Sequence, residues 1–203
     1  MAKKALIVVD VQNDFCPGGT LAVPYGDEVV EPLNIIMAEV AQEGGLIVVS
    51  RDWHPANSDH FKKWPVHCVQ YTKGAELHPL LKIPSEAIRI YKGLEARGSE
   101  KEVDGYSVFD GMTTDCRKLE EILRFERVEH VIVGGLATDY CVRATVRDAL
   151  RLGYSVDFLV YASRGVSKET TEVAFKEMFE MGVVFSFAPY NFAPGFGKSL
   201  RKE

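Results

Sequence analysis

Val131-Ile-Val-Gly-Gly-Leu-Ala-Thr-Asp-Tyr-Cys141-Val-Arg-Ala-Thr-Val-Arg-Asp-Ala-Leu-Arg-Leu-Gly153 is the stretch that decides how the rest of the chain is read. A short β-branched run stops at Gly134-Gly135, and Thr138 or Asp139 follows as a candidate helix cap. Val142, Thr145, Val146, Ala149 and Leu150 then recur at helical spacing until Gly153. The pattern reads as strand, tight turn and helix, with Cys141 in the first turn. Unpaired backbone N–H groups and the positive end of the helix dipole favour a thiolate there, and the same N–H groups suit a developing oxyanion. A small buried cysteine beneath a strand-to-helix turn fits this stretch equally well.

The flanking sequence repeats the same unit. Ala5–Val9 is a continuous apolar run, as in a strand covered on both faces, and it delivers Asp10-Val-Gln-Asn-Asp-Phe15. Asp27 is the expected cap of a helix through Val30, Leu33, Met37 and Val40, closed by Gly44-Gly45. Leu46–Ser50 leads to Asp52, and Ile88–Tyr91 leads to Lys92-Gly93. Thr114 or Asp115 is the expected cap of a helix through Leu119, Ile122 and Leu123. Tyr154–Val160 reads as a strand, Ser167 as the cap of a further helix, and Val183–Phe187 as the last strand. The stretches 95–104 and 189–203 read as loop and irregular tail.

Strands alternating with helices imply a single doubly wound α/β domain over residues 1–203. It would hold a mostly parallel, six-stranded sheet with helices on both faces. Such a sheet brings its strand C-termini to one edge, so Asp10, Asp52, Lys92 and Cys141 are expected to meet there despite their separation in sequence.

Three of the five histidines, His54, His60 and His67, fall with Asp52 inside Arg51-Asp-Trp-His-Pro-Ala-Asn-Ser-Asp-His-Phe61 and Trp64-Pro-Val-His67. Asp52 and His54 are two apart and share one side of an extended segment. Imidazole and carboxylate together suit Zn²⁺, Fe²⁺ or Mn²⁺ rather than Ca²⁺ or Mg²⁺. A His-rich surface loop is the plainer alternative. His78 and His130 lack such company and read as structural. Lys92 alone reads as a solvated charge, but beside a cysteine an ammonium lowers the thiol pKa.

The 203 residues are 46% hydrophobic and 26% charged, with a net charge of −5. This is ordinary for a globular domain and argues against nucleic acid as a partner. No apolar run reaches the length of a membrane span, and the start is too short for a signal peptide, so a cytoplasmic protein is expected. Four irregularly spaced cysteines, Cys16, Cys68, Cys116 and Cys141, are then read as free thiols.

Val-Asp10-Val-Gln-Asn-Asp-Phe15, Arg-Asp52-Trp-His54, Trp64-Pro-Val-His67-Cys, Tyr91-Lys92-Gly93 and the Gly-Leu-Ala-Thr-Asp-Tyr-Cys141 turn, in this order, resemble the nicotinamidase/pyrazinamidase branch of the isochorismatase-like cysteine hydrolases. The resemblance covers nearly the whole chain. It implies Cys141 as nucleophile, Asp10 as proton acceptor and Lys92 as the cation that holds the pair. It also implies a cis peptide between Leu136 and Ala137, with an oxyanion hole from the N–H groups of Ala137 and Cys141. Asp52, His54 and His67 would ligate one divalent metal ion, most readily Zn²⁺, with His60 as a fourth ligand that varies among members. Phe15, Trp64, Tyr106 and Leu136 would contact the substrate, nicotinamide or pyrazinamide. Tyr140 stands where bacterial members often carry His, and is expected at the pocket rim. The resemblance further implies a homo-oligomer. Hydrolysis of isochorismate or of another small amide, attack by a metal-bound water with Cys141 structural, and a non-catalytic binding module are the competing readings.

Overall fold

The computed structural model describes residues 3–94 and 105–188; the stretches 95–104 and 189–203, read above as loop and tail, lie outside the described residues. Six strands form one sheet: β1 (Lys3–Val9), β2 (Leu46–Asp52), β3 (Ile88–Lys92), β4 (Val128–Leu136), β5 (Ser155–Arg164) and β6 (Val184–Ser186). Their order is β3-β2-β1-β4-β5-β6 and every pairing between them is parallel. The sheet is therefore all-parallel where a mostly parallel one was expected. The winding reverses between β1 and β4, and open α/β sheets place their ligands in the crevice at such a reversal.

Both faces of the sheet are covered, which explains the unbroken apolar runs. Leu6, Val8 and Ile132 pack with Leu33, Ile36 and Met37 of α1 (Val30–Gln42). Ala5, Ile7, Val131 and Val133 pack on the other side. There they meet α2 (Leu119–Phe125), α3 (Arg143–Arg151) and α4 (Lys168–Glu180). Each fully buried Leu, Ile or Val contributes roughly 1.5–3 kcal/mol from apolar transfer.

Three helix starts differ from the expected caps. Asp27 lies in a 3₁₀ turn, Gly26–Val29, and α1 begins only at Val30. Thr113 and Asp115 close a turn of their own onto Arg117, through Arg117 N–H to Thr113 Oγ1 (3.0 Å) and the Asp115–Arg117 ion pair (2.8 Å). That turn delays α2 to Leu119, where Glu121 accepts from the Lys118 N–H at 3.2 Å. The third difference is the turn holding Cys141, described below. Ser167 does cap α4, accepting the Thr170 N–H at 3.2 Å.

Gly135 shows why β4 carries a glycine one residue before its end. Its φ is +123°, and a Cβ would lie 2.2 Å from the Val9 carbonyl oxygen of the neighbouring strand. Only glycine lets β1 and β4 approach so closely at the reversal of the winding.

Candidate active site

The strand ends deliver the charged residues as the topology requires. Asp10 follows β1, Asp52 ends β2, Lys92 ends β3, and Cys141 lies in the turn after β4. All four are nearly or fully buried, Lys92 being 1% exposed. The Lys92 ammonium sits at the centre. Its Nζ lies 2.9 Å from Asp10 Oδ2 and 3.3 Å from Cys141 Sγ, and it donates to Asp52 Oδ1 and, at 3.4 Å, to the Gly105 carbonyl.

Asp10 adopts φ +47°, a left-handed conformation uncommon outside glycine. Ser50 holds it there from the adjacent strand, accepting the Asp10 N–H at 3.2 Å and donating to Asp10 Oδ1 at 2.7 Å.

Burial and the central cation set the protonation states. Burial pushes the Asp10 carboxyl up, Lys92 opposes it and Asp52 adds to it, with the outcome at about 6. Burial would also raise Asp52, but the Lys92 ammonium holds it well below the usual carboxylate range. Burial alone would lower Lys92; the charges of Asp10, Asp52 and Cys141 raise it well above an ordinary lysine. Lys92 is thus an ammonium at neutral pH. Burial pushes the Cys141 thiol well above its ordinary value against the pull of Lys92.

The expectation of a resting thiolate at a helix start is therefore corrected. Desolvation outweighs the ammonium, and α3 begins only at Arg143, two residues past the cysteine. The resting pair is a thiol close to the Asp10 carboxylate, which is largely ionised at pH 7.

The turn itself is a single π turn, Thr138–Val142, preceded by a cis peptide between Leu136 and Ala137. The Ala137 carbonyl accepts from the Tyr140 and Val142 N–H groups, both at 3.1 Å. The Cys141 N–H between them, which an α-helix would direct to that carbonyl, is passed over. π turns inside helices frequently mark functional sites for this reason. Neither expected cap acts on this turn. Asp139 instead reaches forward to the start of α4 and accepts from the Val166 N–H at 3.0 Å, the Ser167 N–H at 3.4 Å and the Thr170 hydroxyl.

A second cluster adjoins the first. The ring nitrogens of His54, His60 and His67 that face one another lie within 4.8 Å. His54 Nδ1 lies 3.0 Å from the Gly93 carbonyl and His67 Nδ1 lies 2.7 Å from the Pro65 carbonyl. A carbonyl only accepts, so both Nδ1 atoms carry hydrogen, which leaves each Nε2 as the ring's ligating position. Those Nε2 atoms lie 3.7 and 4.0 Å from Asp52 Oδ2. The His54 Nε2 is buried with no hydrogen-bond partner. Burial lowers His60 to about 4, so its ring is neutral at pH 7. A buried, unpartnered imidazole nitrogen converging with two further imidazoles and a carboxylate oxygen is a donor set that fits one divalent ion. Gly93 is required here twice over: its φ is +66°, and a Cβ would lie 2.3 Å from the His54 ring.

Phe15, Trp64 and Tyr106 line the pocket that opens onto Cys141, as do His60, Ala137 and Tyr140. Tyr140 packs edge-on to Trp64 with centroids 5.0 Å apart, and the Trp64 Nε1–H donates to the Tyr106 hydroxyl at 2.9 Å. Tyr140 thus lines the pocket and joins three segments of chain. Leu136 does not line the pocket. It is fully buried in the α1-side core, because it still belongs to β4 and points away from the turn.

Leu21, Ala22, Val23 and Val166 complete the wall, and sequence patterning does not single them out. Asp14 was likewise missed. It accepts the Cys68 N–H at 2.7 Å and so steadies the chain beside His67. The plainest signal for it was its place in the polar run that follows β1. Outside the site, His78 accepts the Leu80 N–H at 3.3 Å, and His130 contacts Ser155 at 2.8 Å and Asp157 at 3.2 Å. Cys16, Cys68, Cys116 and Cys141 are all free thiols. A wider cleft, lined by Arg124, Glu129, Tyr154 and Ser155, lies near the N-terminal ends of β4 and β5, away from these residues.

Comparison with known proteins agrees with this arrangement. A nicotinamidase from Escherichia coli (strain K12) is 40% identical over 204 residues, spanning 90% of this chain and 93% of the relative. A nicotinamidase/pyrazinamidase from Mycobacterium tuberculosis is 40% identical over 182 residues, spanning 86% and 94%. The crystal structure of a Pyrococcus horikoshii pyrazinamidase in complex with zinc superposes with a TM-score of 0.82 at 42% identity, covering 92% of this chain and 99% of that one. The isochorismatase domain family matches residues 4–188, and this chain belongs to that family.

Proposed function

We propose that this protein is a nicotinamidase, a cysteine amidohydrolase that converts nicotinamide to nicotinate and ammonia and accepts pyrazinamide as well. The observation that carries the reading is the Lys92 ammonium held among Asp10, Asp52 and Cys141, beside three imidazoles in an aromatic-lined pocket. The relatives named above support the substrate class.

In this reading Asp10 takes the Cys141 proton as the sulfur adds to the carboxamide carbon. Lys92 stabilises the thiolate as it forms, which compensates for the burial that keeps the resting thiol protonated. The N–H groups of Ala137 and Cys141 receive the oxyanion. Asp10 passes its proton to the leaving ammonia, then takes one from the water that cleaves the thioester. Cys141 is released and reprotonated, and nicotinate leaves.

Asp52, His54, His60 and His67 would hold the divalent ion, with Zn²⁺ first and Fe²⁺ or Mn²⁺ compatible with the same donors. When bound, the ion supplies a Lewis-acid contact to the pyridine nitrogen and so orients the ring. Phe15, Trp64 and Tyr106 flank the ring, and Tyr140 bounds the entrance. A cytoplasmic protein that acts on a small molecule and assembles as a homo-oligomer belongs to the same proposal. No helix of the described residues is long and apolar enough to cross a membrane.

The test is ammonia release from nicotinamide by the purified, metal-loaded protein, with Cys141→Ala alongside. Release that is lost in the variant is the expected result. Absence of release by the wild type sinks the substrate assignment, and release retained by the variant sinks the nucleophile.

A further inference from the structure

Gln12 is fully buried, yet it carries the most heavily used side-chain amide near the site. Its Oε1 accepts the Asp52 N–H at 2.7 Å, and its Nε2 donates to the Asp52 carbonyl at 2.8 Å and to the Ala75 carbonyl at 3.0 Å. The β1–β2 pairing runs only from Ala5↔Leu46 to Val8↔Val49, so Asp52 lies beyond the ladder on its β1 side, while on the other side β3 still pairs it with Lys92. The Gln12 amide takes over there. It presents one acceptor and one donor to the two backbone groups of Asp52, as a neighbouring strand would.

Asp52 is also the one residue that faces both clusters. Its Oδ1 accepts from Lys92, while its Oδ2 lies 3.7 and 4.0 Å from the Nε2 atoms of His54 and His67. Serving both partners demands that the carboxylate be held at one height and one rotation, and the backbone sets both. Misplacement by about 1 Å at a supporting residue is enough to loosen such a site. The link to Ala75 ties the same point to the 73–77 segment, where the Asn13 N–H donates to the Glu76 carbonyl at 3.0 Å and the Asn13 side chain to the Lys73 carbonyl at 2.7 Å.

We propose that Gln12 is a positioning residue for the metal centre, acting through the backbone of Asp52; the inference rests on the metal-binding role proposed above for Asp52, His54, His60 and His67. The experiment is Zn²⁺ affinity of the metal-stripped full-length protein, measured by chelator competition, for wild type, Gln12→Met and Asn13→Ala. Methionine keeps the length and removes all three hydrogen bonds. Asn13→Ala loosens the same segment without touching Asp52, and so controls for general loosening.

Residues that orient metal ligands typically change affinity by about 10–100-fold when lost, and that drop is expected for Gln12→Met alone. A fall in thermal stability with unchanged Zn²⁺ affinity, or an equal affinity loss in Asn13→Ala, overturns the inference. Wild-type protein that takes up no Zn²⁺ overturns the metal assignment itself, which is read before any variant.

Should Gln12→Met fail to fold, the wild type decides by nuclear magnetic resonance of its glutamine side-chain amides. The Gln12 NH₂ protons are expected to be protected from exchange and to shift on Zn²⁺ addition. Protons that exchange freely, or that do not respond to Zn²⁺, refute the role.

Discussion

Replacing Lys92 with methionine tests the electrostatic core of the site. The side chain keeps its length and loses its charge, in a place where its ammonium touches two carboxylates and a thiol. Removing one partner of a buried ion pair costs about 3–5 kcal/mol, and two pairs are involved, so a naive sum approaches the whole stability of a domain. The structure argues for a smaller loss. Asp10 is already at about 6, so giving it a proton at pH 7 costs only about 1 kcal/mol even with Lys92 present, and less without it.

The variant therefore keeps the local formal charge at −1 by protonating Asp10 and leaves Asp52 alone uncompensated. A loss of about 3–5 kcal/mol, a single pair's worth, is expected at pH 7, and the protein still folds.

The sign with pH follows from the shifts. Asp52 is depressed in the wild type, so its stabilisation is present above the unfolded carboxylate pKa and disappears as pH falls through the folded value. In the variant both carboxyls rise, and each then favours folding only below its raised pKa. The stability gap must widen from acid to neutral pH.

Activity falls much further than stability, because the protonated Asp10 is no longer a base for the thiol proton. A loss of about 10²–10⁴ in kcat/KM is expected, the usual worth of a general base. Urea unfolding of both proteins from about pH 5 to pH 8 measures the gap as a midpoint shift. A gap that does not change with pH, or activity within about tenfold of wild type, would refute the reasoning.

Two further outcomes follow from the same geometry. The acid limb of kcat/KM for nicotinamide should fall about tenfold per pH unit below about 6, where Asp10 takes up its proton, and Asp10→Asn should abolish the limb together with most of the activity. A limb near 4, the ordinary carboxylate position, contradicts the burial argument. Stripping the metal with a chelator should erase the preference for nicotinamide over benzamide, which lacks the ring nitrogen, and added Zn²⁺ should restore it. A preference that survives in metal-free protein, in steady-state kinetics on both amides, removes the orienting role from the histidine cluster.

The sheet was legible because burial on both faces leaves unbroken apolar runs such as Ala5–Val9, and α1 because its apolar positions keep helical spacing. The convergence of Asp10, Asp52, Lys92 and Cys141 followed from topology alone, since parallel strands share one exit edge. What stayed hidden depends on contacts between distant residues. Ser50 meets Asp10 across 40 positions and Asp139 meets Val166 across 27, and nothing in local spacing announces either contact. The protonation of Cys141 was misread for a related reason. Proximity to a helix start can be read from a string, whereas the depth of burial that outweighs it cannot. Leu136 was assigned to the substrate by the resemblance, and its burial among α1-side core residues is again a contact between distant positions.

Lys92 and Gly93 are joined by one peptide bond, and each faces a different half of the site. The lysine carries the ammonium that meets Cys141, and the glycine carries the carbonyl that selects the His54 tautomer. Chain length at this point is consequently frozen. One residue inserted between them would turn either the ammonium or the carbonyl away from its target, and no compensating substitution elsewhere could restore both. Homologous recombination or loop grafting should therefore tolerate crossovers that keep this dipeptide in register and reject those that add or remove a residue within it. Grafts that change its length are expected to yield folded proteins in which the two clusters can no longer be brought into register at once.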